Sequence, residues 1–138
     1  MIGLDSNVLI RFLANDEPQQ ADQAKQLMTA LTPDNPGYIS LVALIETIWV
    51  LKHHFHSSRD HVFDVIETVL DVPSLVVQGA DDVRAAISDG RRGGVDLPDA
   101  LLACLNLTAG CEVTMTFDRR AVRLPSMQLI TVPPPDGQ

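Results

Sequence analysis

The sequence predicts an α/β protein: a mostly parallel sheet with helices on both faces. Three observations carry this. Short aliphatic runs alternate with helical stretches along the chain, and strand followed by helix, repeated, builds a parallel sheet. The runs MIGL and LVV are apolar without alternation, as strands covered on both faces are. The helical stretches are bounded by Ser, Pro and Gly, which start and stop helices for known reasons.

MIGL at residues 1–4 is the first strand, and SNVLIRFLAN a helix capped by Ser6. A second helix runs from about Pro18 to Leu31 and is ended by TPDNPG. Tyr38 and Ile39 form a brief strand, and Ser40 caps the next helix. Another helix spans about Arg59 to Leu70, its end marked by Pro73. LVV at 75–77 is a strand. A helix from about Ala80 stops near Gly90. VDLPDALLACLNLTAG forms a capped helix that Gly110 ends. VTMTF at 113–117 and LITV at 129–132 are the last strands.

The 138 residues suit one domain, residues 1–132, with PPPDGQ at 133–138 as a loose tail. A chain this long hides roughly 70% of its unfolded surface, enough for a core. Hydrophobic residues make up 46% and aromatics 4%, so the core is aliphatic. MIGLDSN lacks a basic region, so no signal peptide is expected. No run approaches the ~20 apolar residues of a membrane span. Cys104 and Cys111 fit a reducing cytoplasm and lack metal-pair spacing. The net charge of −8 argues against broad non-specific nucleic-acid binding. Acids concentrated at a metal site, with arginines forming a local strip, would escape that argument.

The carboxylates carry the chemistry. Asp5 directly follows the first strand, and Asp118 directly follows VTMTF. In a parallel sheet such residues emerge where ligands bind, beyond the strands' carboxyl ends. Asp99 lies in the first turn of the helix beginning near Leu97, and Glu46 in the second turn after Ser40. Glu46 is conspicuous because LVALIETIWVL at 41–51 is otherwise almost wholly apolar. Leu41, Leu44, Ile45 and Ile48 share one face, and Val42, Trp49 and Val50 surround Glu46, so the helix is expected to be packed on both sides. Gathered acids repel by about 4 kcal/mol per pair at ~4 Å and an effective dielectric of about 20. A hard divalent cation relieves this, and oxygen donors favour Mg²⁺ or Mn²⁺. Each acid also has a plainer reading. Asp5 suits a helix start, Asp96 is a good N-cap with Asp99 near the reciprocal capping position, and Asp118 suits a turn. Glu46 suits an exposed slot or a hidden cationic partner.

DSNVLIRFL at 5–13, YISLVALIETIWVL at 38–51, VDLPDALLA at 95–103 and TFDRRA at 116–121 together resemble the PIN-domain ribonucleases, most of all toxins of the VapC type. The resemblance implies a three-layer α/β/α sandwich and Mg²⁺- or Mn²⁺-dependent cleavage of RNA. It places the acidic quartet on Asp5, Glu46, Asp99 and Asp118. Ser6, Asn7, Asp96 and Thr116 fall to supporting or phosphate-orienting positions. It further implies a cytoplasmic homodimer and a VapB-type antitoxin as partner. Leu9, Phe12, Leu13 and Trp49 are candidate docking residues, with core packing as the other reading. Many relatives carry a further acid after the last one; Arg119 and Arg120 stand here instead, leaving one metal or two open.

Arg91 and Arg92 precede the DLPD block, and Arg119, Arg120 and Arg123 surround Asp118. Phosphate steering and ordinary solvated charge both account for them. His53, His54, His56 and His61 lack zinc spacing and read as a polar helix end. Two rivals stand beside the ribonuclease. One is a phosphatase using Asp5 as a covalent nucleophile, although Asn7 occupies the place where a second acid is expected. The other is a non-catalytic binding module on the same fold.

Overall fold

The computed structural model describes residues 1–14 and 16–131. The end of the first expected helix at Asn15, the end of the last strand at Val132 and the tail at 133–138 lie outside them. The chain divides into two compact units, Met1–Arg84 and Ala85–Gln138.

The first unit contains β1 (Ile2–Gly3), α1 (Ser6–Ala14), α2 (Pro18–Ala30), β2 (Gly37–Ile39), α3 (Leu41–His53), α4 (Arg59–Leu70) and β3 (Leu75–Val77). The α5 helix (Ala80–Gly93) crosses the boundary between the units. The second unit continues with α6 (Leu97–Thr108), β4 (Thr114–Thr116), a 3₁₀ turn at Ala121–Arg123 and β5 (Met127–Leu129). Among the described residues the strand pairing is parallel, β1-β2-β3 in one sheet and β4-β5 in the other. The α/β class read from the sequence is the class observed.

Local chemistry explains the helix boundaries. Ser40 Oγ accepts from Ala43 N at 3.2 Å, and Ser58 Oγ from His61 N at 3.1 Å, each satisfying a donor at a helix start. Ser6 departs from expectation. It is the first residue of α1 rather than its cap, and the Asp5 carbonyl takes the first amides, Val8 N at 3.0 Å and Leu9 N at 3.4 Å. The α5 helix runs to Gly93 instead of stopping near Gly90. Interior glycine costs only about 1 kcal/mol, and Arg91 and Arg92 in the last turn favour the helix's negative end. The last strand is Met127–Leu129, not 129–132, because its register against Thr114–Thr116 seats Met127 inward.

The strands are less covered than expected. Met1 and Ile2 are exposed and only Leu4 of MIGL is buried; among the described residues β1 pairs with β2 on one edge. Val76 is also exposed between buried Leu75 and Val77, so LVV alternates.

In the first unit, α1 packs on α2 and α3, and α4 packs on α3 and β3. Leu9, Ile39, Leu44, Ile48, Phe63 and Ile66 form the floor of that packing, each at most 1% exposed. Leu9 is therefore core and no docking residue. The α3 helix is packed on one side, not two. Ala43, Leu44, Thr47, Ile48 and Leu51 are buried, while Val42, Ile45, Glu46 and Trp49 face out. Phe63→Ala should cost about 3–5 kcal/mol, whereas Trp49→Ala, at a residue 61% exposed, should cost less than about 1 kcal/mol. Urea denaturation of the two variants checks the contrast.

Candidate active site

The first unit joins two of the sequence-predicted positions directly. Ser6 Oγ donates to Glu46 Oε2 at 2.7 Å, across forty positions of chain. Ser6 is 5% exposed, and a buried hydroxyl needs a partner. Glu46 supplies one while its own carboxylate stays at the surface. This settles how a carboxylate survives in an oily helix: it lies on the outer face, so no large desolvation penalty arises. Asp5 immediately precedes Ser6 and is exposed, and among the described residues its side chain has no hydrogen-bond partner. The plainer reading of Asp5 as a helix-entry residue fits its place, since it directly precedes α1 and its carbonyl accepts from Val8 N and Leu9 N. Asn7 is also exposed and lies against α2 in a shallow groove.

In the second unit, Asp96 occupies the N-cap of α6 with extended backbone, φ −62° and ψ 147°, and its carbonyl accepts from Ala100 N at 3.1 Å. Its side chain makes no capping bond, so capping does not account for the choice of an acid there. Asp99 sits half-buried in the first turn, after Pro98, which suits an early helical position. At the end of β4, Thr116 Oγ1 accepts from Asp118 N at 2.9 Å, and Asp118 Oδ1 accepts from Arg120 N at 2.8 Å. The turn reading of Asp118 is thus realised, and it occupies one carboxylate oxygen. Thr116 fixes the strand end from which Asp118 projects.

The arginines divide. Arg92 pairs with Asp89 at 2.6 Å on the surface, a contact of little energetic weight. Arg91 is exposed in the last turn of α5. Arg123 Nη1 donates to Gly94 O at 3.4 Å. The exposed Arg119 and Arg120 make no guanidinium contact among the described residues.

The donors are carboxylate, hydroxyl and amide oxygens, which suits a hard divalent cation. Among the described residues no group of three His, Cys, Asp or Glu side chains is arranged to hold a metal ion. The first unit holds Asp5 and Glu46, and the second holds Asp99 and Asp118. Sequence reasoning missed the Ser6–Glu46 bond and the contact of Arg11 with Gln20. The second had a signal, because Asn7 and Arg11 stand one helical turn apart, facing a helix rich in glutamine.

Carboxylates that follow strands of a parallel α/β chain stand where such folds bind their ligands. The sequence model of the PIN domain matches residues 2–126, spanning most of both units. The chain belongs to the PIN-domain family. It is also 26% identical to a VapC ribonuclease of Aquifex aeolicus (strain VF5) over 123 residues, 88% of this chain and 90% of that relative.

The Ser6–Glu46 bond gives a direct test. In a double-mutant cycle of Ser6→Ala and Glu46→Gln, the coupling free energy should be about 1 kcal/mol. Urea unfolding of the four proteins measures it, and a coupling near zero would show the bond idle in solution.

Proposed function

We propose that this chain is a divalent-metal-dependent endoribonuclease, the toxin of a toxin–antitoxin pair. Family membership and the likeness to a VapC ribonuclease support the reading. The observation that carries it is the Ser6–Glu46 bond, which couples the turn after Asp5 to the one acid of α3. On this reading the two units are halves of one PIN domain, and Asp5, Glu46, Asp99 and Asp118 serve one reaction.

Asp5, Asp99 and Asp118 would hold Mg²⁺ or Mn²⁺, with Glu46 completing the set. When bound, the cation supplies charge to a phosphoryl oxygen and makes a nearby water easier to deprotonate. The chain's own groups do the rest. Ser6 Oγ–H pins Glu46 Oε2, leaving Oε1 to accept a proton from the attacking water. Thr116 fixes Asp118 through its amide, and Arg120 N engages Oδ1, leaving Oδ2 as the donor. Asn7 and Asp96 orient these groups or the phosphate. Arg91, Arg92, Arg119 and Arg120 would contact the RNA backbone.

A VapB-type antitoxin and a second copy of the chain are the proposed protein partners, acting in the cytoplasm. The outward stripe of Val42, Ile45 and Trp49, with Trp49 stacked on His53 at 4.7 Å between ring centroids, supports a protein partner. Among the described residues no helix is long and apolar enough to cross a membrane.

Asp5→Asn should lower RNA cleavage by on the order of a hundredfold or more while leaving the fold intact. Partner-free protein incubated with total RNA and Mg²⁺, with circular dichroism in parallel, checks this. Undiminished cleavage by the variant would remove the mechanism. EDTA should halt the wild-type reaction and excess Mg²⁺ restore it; the non-catalytic binding module would cut nothing in either condition.

A further inference from the structure

We propose that Asn106 is a positioning residue: its bond to Thr114 sets the register of α6 against β4 that brings Asp99 level with Asp118. The inference rests on the ribonuclease reading above, in which these two acids serve one reaction. Asn106 Nδ2 donates to Thr114 Oγ1 at 2.9 Å, and both residues are half-buried. The bond joins the helix that carries Asp99 to the strand that Asp118 follows. All four residues lie in the second unit.

The spacing gives the bond its reach. Asp99 and Asn106 are seven positions apart, two turns of helix, so they share one face of α6. Thr114 and Thr116 are two positions apart in β4, so they share one face of the strand. Both threonines are half-buried, while Val113, Met115 and Phe117, offset by one, are exposed. The half-buried face of β4 is therefore the one bonded to α6.

Direction completes the argument. A helix that feeds a strand of a parallel sheet through a short connection runs back along that strand. Here residues 109–113 make the connection. Asn106, near the end of α6, accordingly meets Thr114 at the start of β4. Going back from Asn106 to Asp99 covers ~10 Å of helix at ~1.5 Å per residue. Going forward from Thr114 to Asp118 covers ~13 Å of extended chain at ~3.3 Å per residue. The two acids thus come to nearly the same level on adjoining elements.

Thr116 carries the setting on to the acid. Its Oγ1 accepts from Asp118 N at 2.9 Å, which ties the backbone of Asp118 to the same face of β4. Asn106 O also accepts from Cys111 N at 2.9 Å, so the residue that grips β4 closes the end of α6 as well. The role of Asn106 is one of distance: it acts solely through where Asp99 and Asp118 stand.

The probe is Mn²⁺, titrated into the full chain without RNA, with unbound Mn²⁺ read by electron paramagnetic resonance. Asp118→Asn gives the affinity of the acidic surface at large, and wild type should bind about a hundredfold more tightly. Asn106→Ala and Thr114→Val should each weaken binding about tenfold, the lower end for groups that support metal ligands. The double variant should be no weaker than either, because all three lose the same bond. Thr114→Ser keeps the hydroxyl and should keep the affinity. Circular dichroism and urea unfolding establish that each variant folds; should Asn106→Ala not fold, Thr114→Val against Thr114→Ser carries the test. Full affinity in folded Asn106→Ala or Thr114→Val, beside a weakened Asp118→Asn, overturns the role of Asn106 and spares the ribonuclease. Weakening by Thr114→Ser as large as by Thr114→Val overturns it too. Wild type that binds no better than Asp118→Asn overturns both.

Discussion

The parallel pairing of β1 with β2 is the constraint from which the candidate site follows. Ile2 lies opposite Gly37 and Gly3 opposite Tyr38, and Leu4 N continues the ladder to Tyr38 O at 2.9 Å. In a parallel pair the chain leaves both strands at the same edge. Asp5 and Ser6 leave β1 there, and Ser40 leaves β2 there to start α3. Glu46, in the second turn of α3, then meets Ser6 although forty positions separate them. An antiparallel pairing would send the two segments to opposite edges. An added Cβ at Gly37 would lie 2.9 Å from methyl groups of both Leu4 and Leu31, so those side chains would have to shift.

The Ser6–Glu46 bond also shows how a buried group and an exposed one divide a task. Ser6 cannot reach water freely, so its hydroxyl must find an acceptor inside the fold. Glu46 keeps its solvation and gives up only one oxygen. Neither the cost of burying a carboxylate nor that of an orphaned hydroxyl arises. Among the described residues no buried side-chain nitrogen or oxygen lacks a partner. The polar atoms near the site are thus settled by the fold itself, and the acids that remain at the surface are there without a packing role to explain them.

Much of the fold was legible because its signals are local. Ser40 and Ser58 mark helix starts through bonds three residues away, and Pro18 and Pro98 sit where a missing amide costs nothing. The candidate residues were legible for a related reason: they follow strands or open helices, positions that a sequence can show. What was not legible depends on distant partners. Whether MIGL is covered depends on which strand lies on its other edge. Whether α3 packs on one side or two depends on its neighbours, because Val42, Ile45 and Trp49 are as apolar as the core they resemble. Ser6 looked like a cap because a serine before a helix usually is one. Its actual acceptor lies on another helix and leaves no local trace. The register of β5 depends likewise on β4, not on the apolar count of LITV.

The charge of the chain limits how it can hold the substrate proposed for it. With a net charge of −8, long-range attraction to phosphate is absent, and the favourable release of counterions that drives most nucleic-acid binding is confined to a few arginines. Part of this cationic charge is already committed, as Arg92 is to Asp89 and Arg11 to Gln20 and Asp16. Affinity must then come from short-range devices. A divalent cation held by carboxylates would turn a source of repulsion into a phosphate contact. Base contacts need no net charge at all, because amide and apolar groups are insensitive to the field that repels the backbone. Such a protein would bind RNA weakly in general and well only where a base and a phosphate can be engaged together. An acidic surface is, on this argument, a filter against indiscriminate binding, and the specificity of cleavage is set by the few groups that overcome it.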